Sequence, residues 1–153
     1  MPDAGRYKST KQHLESAVAI LMARRCAEEV FLGSTTSAVA NDLRDATELA
    51  RQMVCEWGMA EEMGPLSLSG PKDSVFLGKE ITRYRKYGRA TSARIDDAVR
   101  RIVMQGYRKA RNILECGQST VVRLAAALQE CETLDSSQLE TLIRCGSLDG
   151  RAG

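Results

Sequence analysis

A chain of 153 residues is the length of one domain, able to bury roughly 70% of the surface its unfolded form exposes. Its 43% hydrophobic and 27% charged residues are the balance of an ordinary globular protein, and a net charge of +2 is too small to argue for nucleic acid or a membrane surface as partner. Five cysteines, at positions 26, 55, 116, 131 and 145, form no even framework and no Cys-x-x-Cys pair, which excludes a zinc knuckle and suits a reducing compartment, cytoplasmic or organellar.

Hydrophobic spacing predicts an all-α fold of about five helices, with one irregular loop segment between the second and third. Ser9 or Thr10 can cap a first helix running to about Phe31, with Leu14, Ala17, Val18 and Leu21 on one face. Gly33 and the Ser-Thr-Thr-Ser run break it. The second helix contains Ala40 to Met59 and repeats Leu43, Ala46, Ala50, Met53, Val54 and Trp57 at three- and four-residue intervals. From Gly58 to Gly88 the period is lost: Gly64-Pro65 and Ser69-Gly70-Pro71 are turn signals, and Val75-Phe76-Leu77 is at most a short strand. A third helix, about Arg89 to Glu115, carries Ile95, Val99, Ile102, Val103, Ala110, Ile113 and Leu114, and Gly117 suits its stop. A fourth runs from Ser119 to Cys131. Asp135, Gln138 and the pair Leu134 and Leu139 form a capping box and hydrophobic staple at the start of the fifth. Residues 1–145 read as one domain and 146–153 as a flexible tail. Met1 to Ser9 lacks the apolar core of a secretory signal, and the most apolar stretch, Ala17 to Ala23, is too short to span a bilayer. A soluble chain without direct membrane contact is therefore expected.

Most of the usual catalytic patterns are missing. His13 is the single histidine, so no His-Glu-x-x-His pair exists, and a serine or cysteine nucleophile has no marked base beside it. No catalytic residue is assigned. No Gly-x-x-x-x-Gly-Lys-Ser/Thr loop is present, so ATP binding is not expected of this chain. Arg83-Tyr84-Arg85-Lys86-Tyr87-Gly88-Arg89 mixes aromatics with positive charge, but it is short and reads as a solvated loop; Arg100-Arg101 and Arg108-Lys109 fall on the polar side of the third helix. No nucleic-acid partner is inferred.

Asp42 stands out. A rotation of about 100° per residue lines it up with Ala46, Leu49 and Met53, at the top of a stripe that otherwise looks inward. One reading is a helix cap beside Asn41. Thr35, Thr36 and Ser37 can cap earlier, which would leave Asp42 inside the second turn, partly buried and in need of a cation. That cation is either an arginine or a metal.

Longer motifs in the same region point to a family. Arg25-Cys26-Ala27-Glu28-Glu29 with Gly33 resembles the segment G-R-A-A-E-E-hydrophobic-x-F-G of the FtsH-type ATP-dependent zinc metalloproteases. Asn41-Asp42-Leu43, Ala46-Thr47 and Ala50-Arg51-x-Met53-Val54 resemble the family's S-N-D-[LI]-x-x-A-T-x-x-A-R-x-M-V helix. Trp57-Gly58-Met59 with Gly64-Pro65 is similar to W-G-M-S-x-x-L-G-P, Val75-Phe76-Leu77-Gly78 to V-F-L-G, and Glu132-Thr133-Leu134-Asp135 to the E-T-L-D entry into the last helix. Pro2 to Tyr7 resembles P-x-x-D-R-Y. The pieces keep the family's order over about residues 2–145.

The resemblance implies the C-terminal part of an FtsH-like peptidase domain, lying after the H-E-x-x-H helix, the ATPase module and the membrane anchor. It implies that Asp42 is the third zinc ligand, that zinc is bound only together with an H-E-x-x-H segment, and that ATP is used by the ATPase module. It also implies protein substrates, a homo-oligomer that is hexameric in the family, the N-terminal half of the protease domain as partner, and no activity of this chain alone. The other expectation is a non-catalytic helical module for oligomerisation or interaction, derived from that domain. Two positions depart from the pattern: Ala38 replaces the glycine of S-T-G-A, and Ala23-Arg24 replaces the Gly-Gly ahead of the arginine. Alanine resists backbone angles that glycine permits, so the loop before Asp42 is expected to differ.

Overall fold

The structure is a computed structural model and describes residues 9–68 and 88–145. The described residues form five α-helices: α1 Lys11–Ala27, α2 Ala40–Cys55, α3 Arg89–Cys116, α4 Gln118–Cys131 and α5 Ser136–Cys145. No strand occurs among them. Val75-Phe76-Leu77, residues 83–87 of the basic stretch and the tail 146–153 lie outside the described residues. No helix among the described residues is long and apolar enough to cross a membrane.

The chain divides into two compact units, residues 1–111 and 112–153. In the first, α1 begins where the Thr10 hydroxyl accepts a hydrogen bond from the His13 N–H at 3.2 Å. Leu14, Val18, Met22 and Cys26 are its buried stripe, four residues apart, so the inward face sits slightly rotated from the one expected. Ala17 and Leu21 are only half-buried. The helical path then widens into a π turn, Glu28–Leu32, and Gly33 ends it at φ +69°.

Helix α2 buries Ala46, Ala50, Met53 and Val54 completely, as its spacing predicts. Trp57 differs: it is 45% exposed, because the chain has already left the helix at Glu56. Gly58 turns the backbone there at φ +57°, where a Cβ would meet the Cα of Pro65 at 3.2 Å. The Trp-Gly-Met and Gly-Pro motifs are thus two sides of one tight joint. The loop beyond it returns to the helices. The Leu68 N–H donates to the Cys55 carbonyl at 2.6 Å, and Arg101 of α3 grips the Glu62 carboxylate at 2.6 and 3.0 Å.

Helix α3 buries Ile95, Ala98, Val99, Ile102, Gly106 and Ala110. Gly106 is where α1 crosses it, since a Cβ at that position would lie 2.7 Å from a methyl of Val18. The doublets Arg100-Arg101 and Arg108-Lys109 are exposed, as read from the sequence.

The second unit holds the end of α3 with α4 and α5. Gly117 joins α3 to α4 at φ −106°, not in the left-handed conformation of a glycine stop, and its N–H donates to the Ile113 carbonyl at 2.9 Å. Glu132, at φ +60°, turns the chain out of α4. The capping box then closes: the Gln138 N–H donates to Asp135 Oδ1 at 2.8 Å, and the Asp135 N–H to Gln138 Oε1 at 2.9 Å. Ala127 and Leu142 are buried, while Ile113, Val122, Leu128, Leu139 and Ile143 stay exposed.

Candidate metal centre

Asp42 lies in the first turn of α2, above the fully buried Ala46 and Met53. No hydroxyl caps the helix before it. Val39 occupies the cap position without a side-chain bond, and a short turn of 3-10 helix, Ser37–Val39, leads in. Thr36 serves another residue: its N–H donates to Glu28 Oε2 at 2.7 Å and its hydroxyl to Glu28 Oε1 at 3.0 Å. The early caps anticipated from the sequence therefore do not form, and the π turn of α1 is tied to the loop entering α2.

The Asp42 side chain is 30% exposed. Facing it is Arg24 in the last turn of α1, with Nη1 4.0 Å from Asp42 Oδ2. The same guanidinium reaches Glu28, its Nε lying 4.0 Å from Oε1. Asp42, Arg24, Glu28 and Thr36 thus make one row of alternating charge and hydrogen bonds at the place where α1 ends and α2 begins. A half-buried carboxylate calls for a positive partner, and here that partner is the Arg24 guanidinium. The donor set is small, however. Among the described residues no group of three His, Cys, Asp or Glu side chains could hold a metal ion. His13 is exposed. Asp42 fits zinc as one oxygen donor, and at least two more must come from elsewhere.

A second polar cluster joins the end of α1 to α3. Glu29, one residue beyond Glu28, accepts from the Tyr107 hydroxyl of α3, from Arg25 Nε at 2.9 Å and from Arg111 Nη1 at 3.3 Å, while Arg111 also donates to the Tyr107 oxygen at 2.9 Å. The Tyr107 hydroxyl, followed by the two arginines, holds the Glu29 carboxyl below the usual carboxylate range. The same bond to Glu29 pushes the Tyr107 phenol up. Beside it, burial and then the Glu29 charge raise the Cys26 thiol, whose sulfur lies 3.5 Å from the Tyr107 carbonyl oxygen that accepts from it. This cluster fastens α1 to α3. The only sequence sign of it is Glu29 within the Arg-Cys-Ala-Glu-Glu motif; the separation of 78 positions between Glu29 and Tyr107 hides the rest. Cys26, Cys55, Cys116 and Cys131 carry thiols, not disulfides.

The model of peptidase family M41 matches residues 1–142. Over 143 residues the chain is 40% identical to an ATP-dependent zinc metalloprotease FtsH from Acidobacterium capsulatum, covering 94% of this chain and 22% of that protein. The FtsH of Thermotoga maritima is 38% identical over 143 residues, 94% of this chain and 23% of its own. FtsH 2 of Methylacidiphilum infernorum is 37% identical over 148 residues, 97% of this chain and 23% of its own. The chain spans less than a quarter of the length of these relatives.

Proposed function

From the premise that this chain belongs to peptidase family M41, we propose that it is the helical C-terminal part of the peptidase domain of an ATP-dependent zinc metalloendopeptidase that degrades proteins, with Asp42 supplying one of three protein ligands to the zinc. The match over residues 1–142 supports taking 1–145 as that domain part, and the relatives' names support zinc as the metal. The observation that carries the role of Asp42 is its place: a half-buried carboxylate in the first turn of α2, above the buried stripe of that helix.

Zinc in such a site acidifies a bound water and polarises the scissile carbonyl. The work of this chain is to hold one oxygen donor still. The buried Ala46 and Met53 anchor α2 beneath Asp42, and the Thr36–Glu28 bonds fix the loop that enters it. By resemblance, the remaining ligands and the general base belong to an H-E-x-x-H segment, ATP to an ATPase module, and the assembly to a hexamer.

The test joins this chain to the H-E-x-x-H-bearing segment of a relative and compares wild type with Asp42→Asn. Asparagine caps a helix as well as aspartate does but lacks the charge a metal uses. Loss of bound zinc and of casein cleavage with folding retained is expected, while this chain by itself cleaves nothing even with zinc and ATP supplied. Full zinc occupancy and full activity in the Asn variant would reduce Asp42 to a cap.

The exposed Ile113, Val122, Leu128, Leu139 and Ile143 of the second unit favour a second reading, a non-catalytic helical module that oligomerises through apolar surface. Light scattering that gives a strict monomer at all concentrations refutes it.

A further inference from the structure

We propose that Arg24 is a built-in competitor for metal at Asp42: its guanidinium holds the cationic position beside the carboxylate, so that a divalent ion binds there more weakly than it would without it. The inference rests on reading Asp42 as a metal-binding carboxylate. It starts from a difference in sequence. Arg24 stands where the family pattern has the second glycine of Gly-Gly, so a residue with no side chain has become one with a permanent charge.

The geometry gives that charge a definite place. Arg24 Nη1 lies 4.0 Å from Asp42 Oδ2, and Nε lies 4.0 Å from Glu28 Oε1. Glu28 cannot turn away without losing the N–H and the hydroxyl of Thr36, at 2.7 and 3.0 Å. It therefore keeps the guanidinium at the Asp42 end of the row. Among the described residues, Arg24 is the one cation within 4.0 Å of Asp42.

Both partners are open to solvent, with the Arg24 side chain 56% exposed. An ion can reach the carboxylate, and the arginine can swing aside, so the competition is partial. Repulsion between a unit charge and a divalent ion a few ångströms apart at a solvated surface corresponds to roughly a tenfold change in affinity.

The experiment uses the full chain and manganese(II) alone, a paramagnetic ion that favours oxygen donors and reports weak sites through broadening of nearby amide resonances. Broadening at Asn41, Asp42 and Leu43 is titrated in wild type, Arg24→Gln and Arg24→Lys, and in each with Asp42→Asn added. Glutamine keeps helix propensity and removes the charge; Arg24→Met repeats the comparison should glutamine disturb the fold. The uncharged variants should broaden at about tenfold lower manganese(II) than wild type, Arg24→Lys should stay near wild type, and Asp42→Asn should abolish the difference. Identical midpoints for wild type and Arg24→Gln, with broadening still lost in Asp42→Asn, overturn the role of Arg24 and leave the reading of Asp42 intact. Broadening indifferent to Asp42→Asn in every background overturns both.

Discussion

Gly106→Ala should destabilise the first unit by about 1 kcal/mol, against the usual trend of helix propensity. In an open helix interior alanine is better than glycine by about 1 kcal/mol. Here the new Cβ would lie 2.7 Å from Val18 Cγ1, 3.2 Å from the Ala19 nitrogen and 3.3 Å from the Val18 carbonyl carbon. Val18 is fully buried and β-branched, so it has one comfortable rotamer in a helix and no room to leave it. The Ala19 contact is to backbone, and α1 itself must shift. Overpacking of this kind costs typically about 1–3 kcal/mol; a middle value of about 2 less the propensity gain leaves about 1. Valine gains less propensity and intrudes further, so Gly106→Val should cost about 3 kcal/mol. Urea unfolding followed by far-UV circular dichroism reads both changes as a lower midpoint at unchanged slope. Adding Val18→Ala to Gly106→Ala removes the clashing methyl, and the double-mutant cycle should return a favourable coupling of at least about 0.5 kcal/mol. A raised midpoint for Gly106→Ala, or strict additivity with Val18→Ala, would refute the close crossing of α1 and α3.

Two further predictions concern protonation and caps. The Glu29 carboxyl is held low, chiefly by the Tyr107 hydroxyl, so its contribution to stability is present above the ordinary carboxylate range and is lost as pH falls below that range through its own lower value. The Tyr107 phenol is raised, chiefly by Glu29, so its contribution is present below the ordinary tyrosine range and is lost as pH climbs through its own higher value. Tyr107→Phe should cost about 1.5 kcal/mol near neutral pH and flatten the alkaline limb of a stability–pH curve; an alkaline limb identical to wild type would contradict the assignment. Asp135 is held low by the Gln138 N–H and then the Ser137 hydroxyl, so protection of the Gln138 amide in hydrogen exchange should fall as pH drops below the aspartate range. Asp135→Ala should remove that protection at every pH, and unchanged exchange in the variant would show that the cap does not hold α5.

Signals confined to a few neighbouring residues were legible in the sequence. Thr10 caps α1, and the Asp135–Gln138 box opens α5, because each involves residues three apart and needs no knowledge of the remaining chain. The buried stripe of α2 was legible too, since Ala46, Ala50, Met53 and Val54 keep one helical period. The family came from motif order alone. What depended on distant segments was decided only by tertiary structure. Which face of α1 turns inward follows from where α3 crosses it, at Gly106, and no spacing within α1 contains that information. Trp57 continues the α2 stripe on paper but is exposed, because Gly58 bends the chain toward Pro65 one residue later. Thr36 has the chemistry of a cap and spends it on Glu28, which the π turn brings within 2.7 Å. Asp42 shows the division most plainly: its position on the helix was readable, and its need for a cation followed from partial burial. The local residues left an arginine or a metal open as that cation, and the last turn of α1 places Arg24 at 4.0 Å. Helical period is a local property of the backbone, whereas the neighbour that a side chain meets is fixed by how separate helices pack.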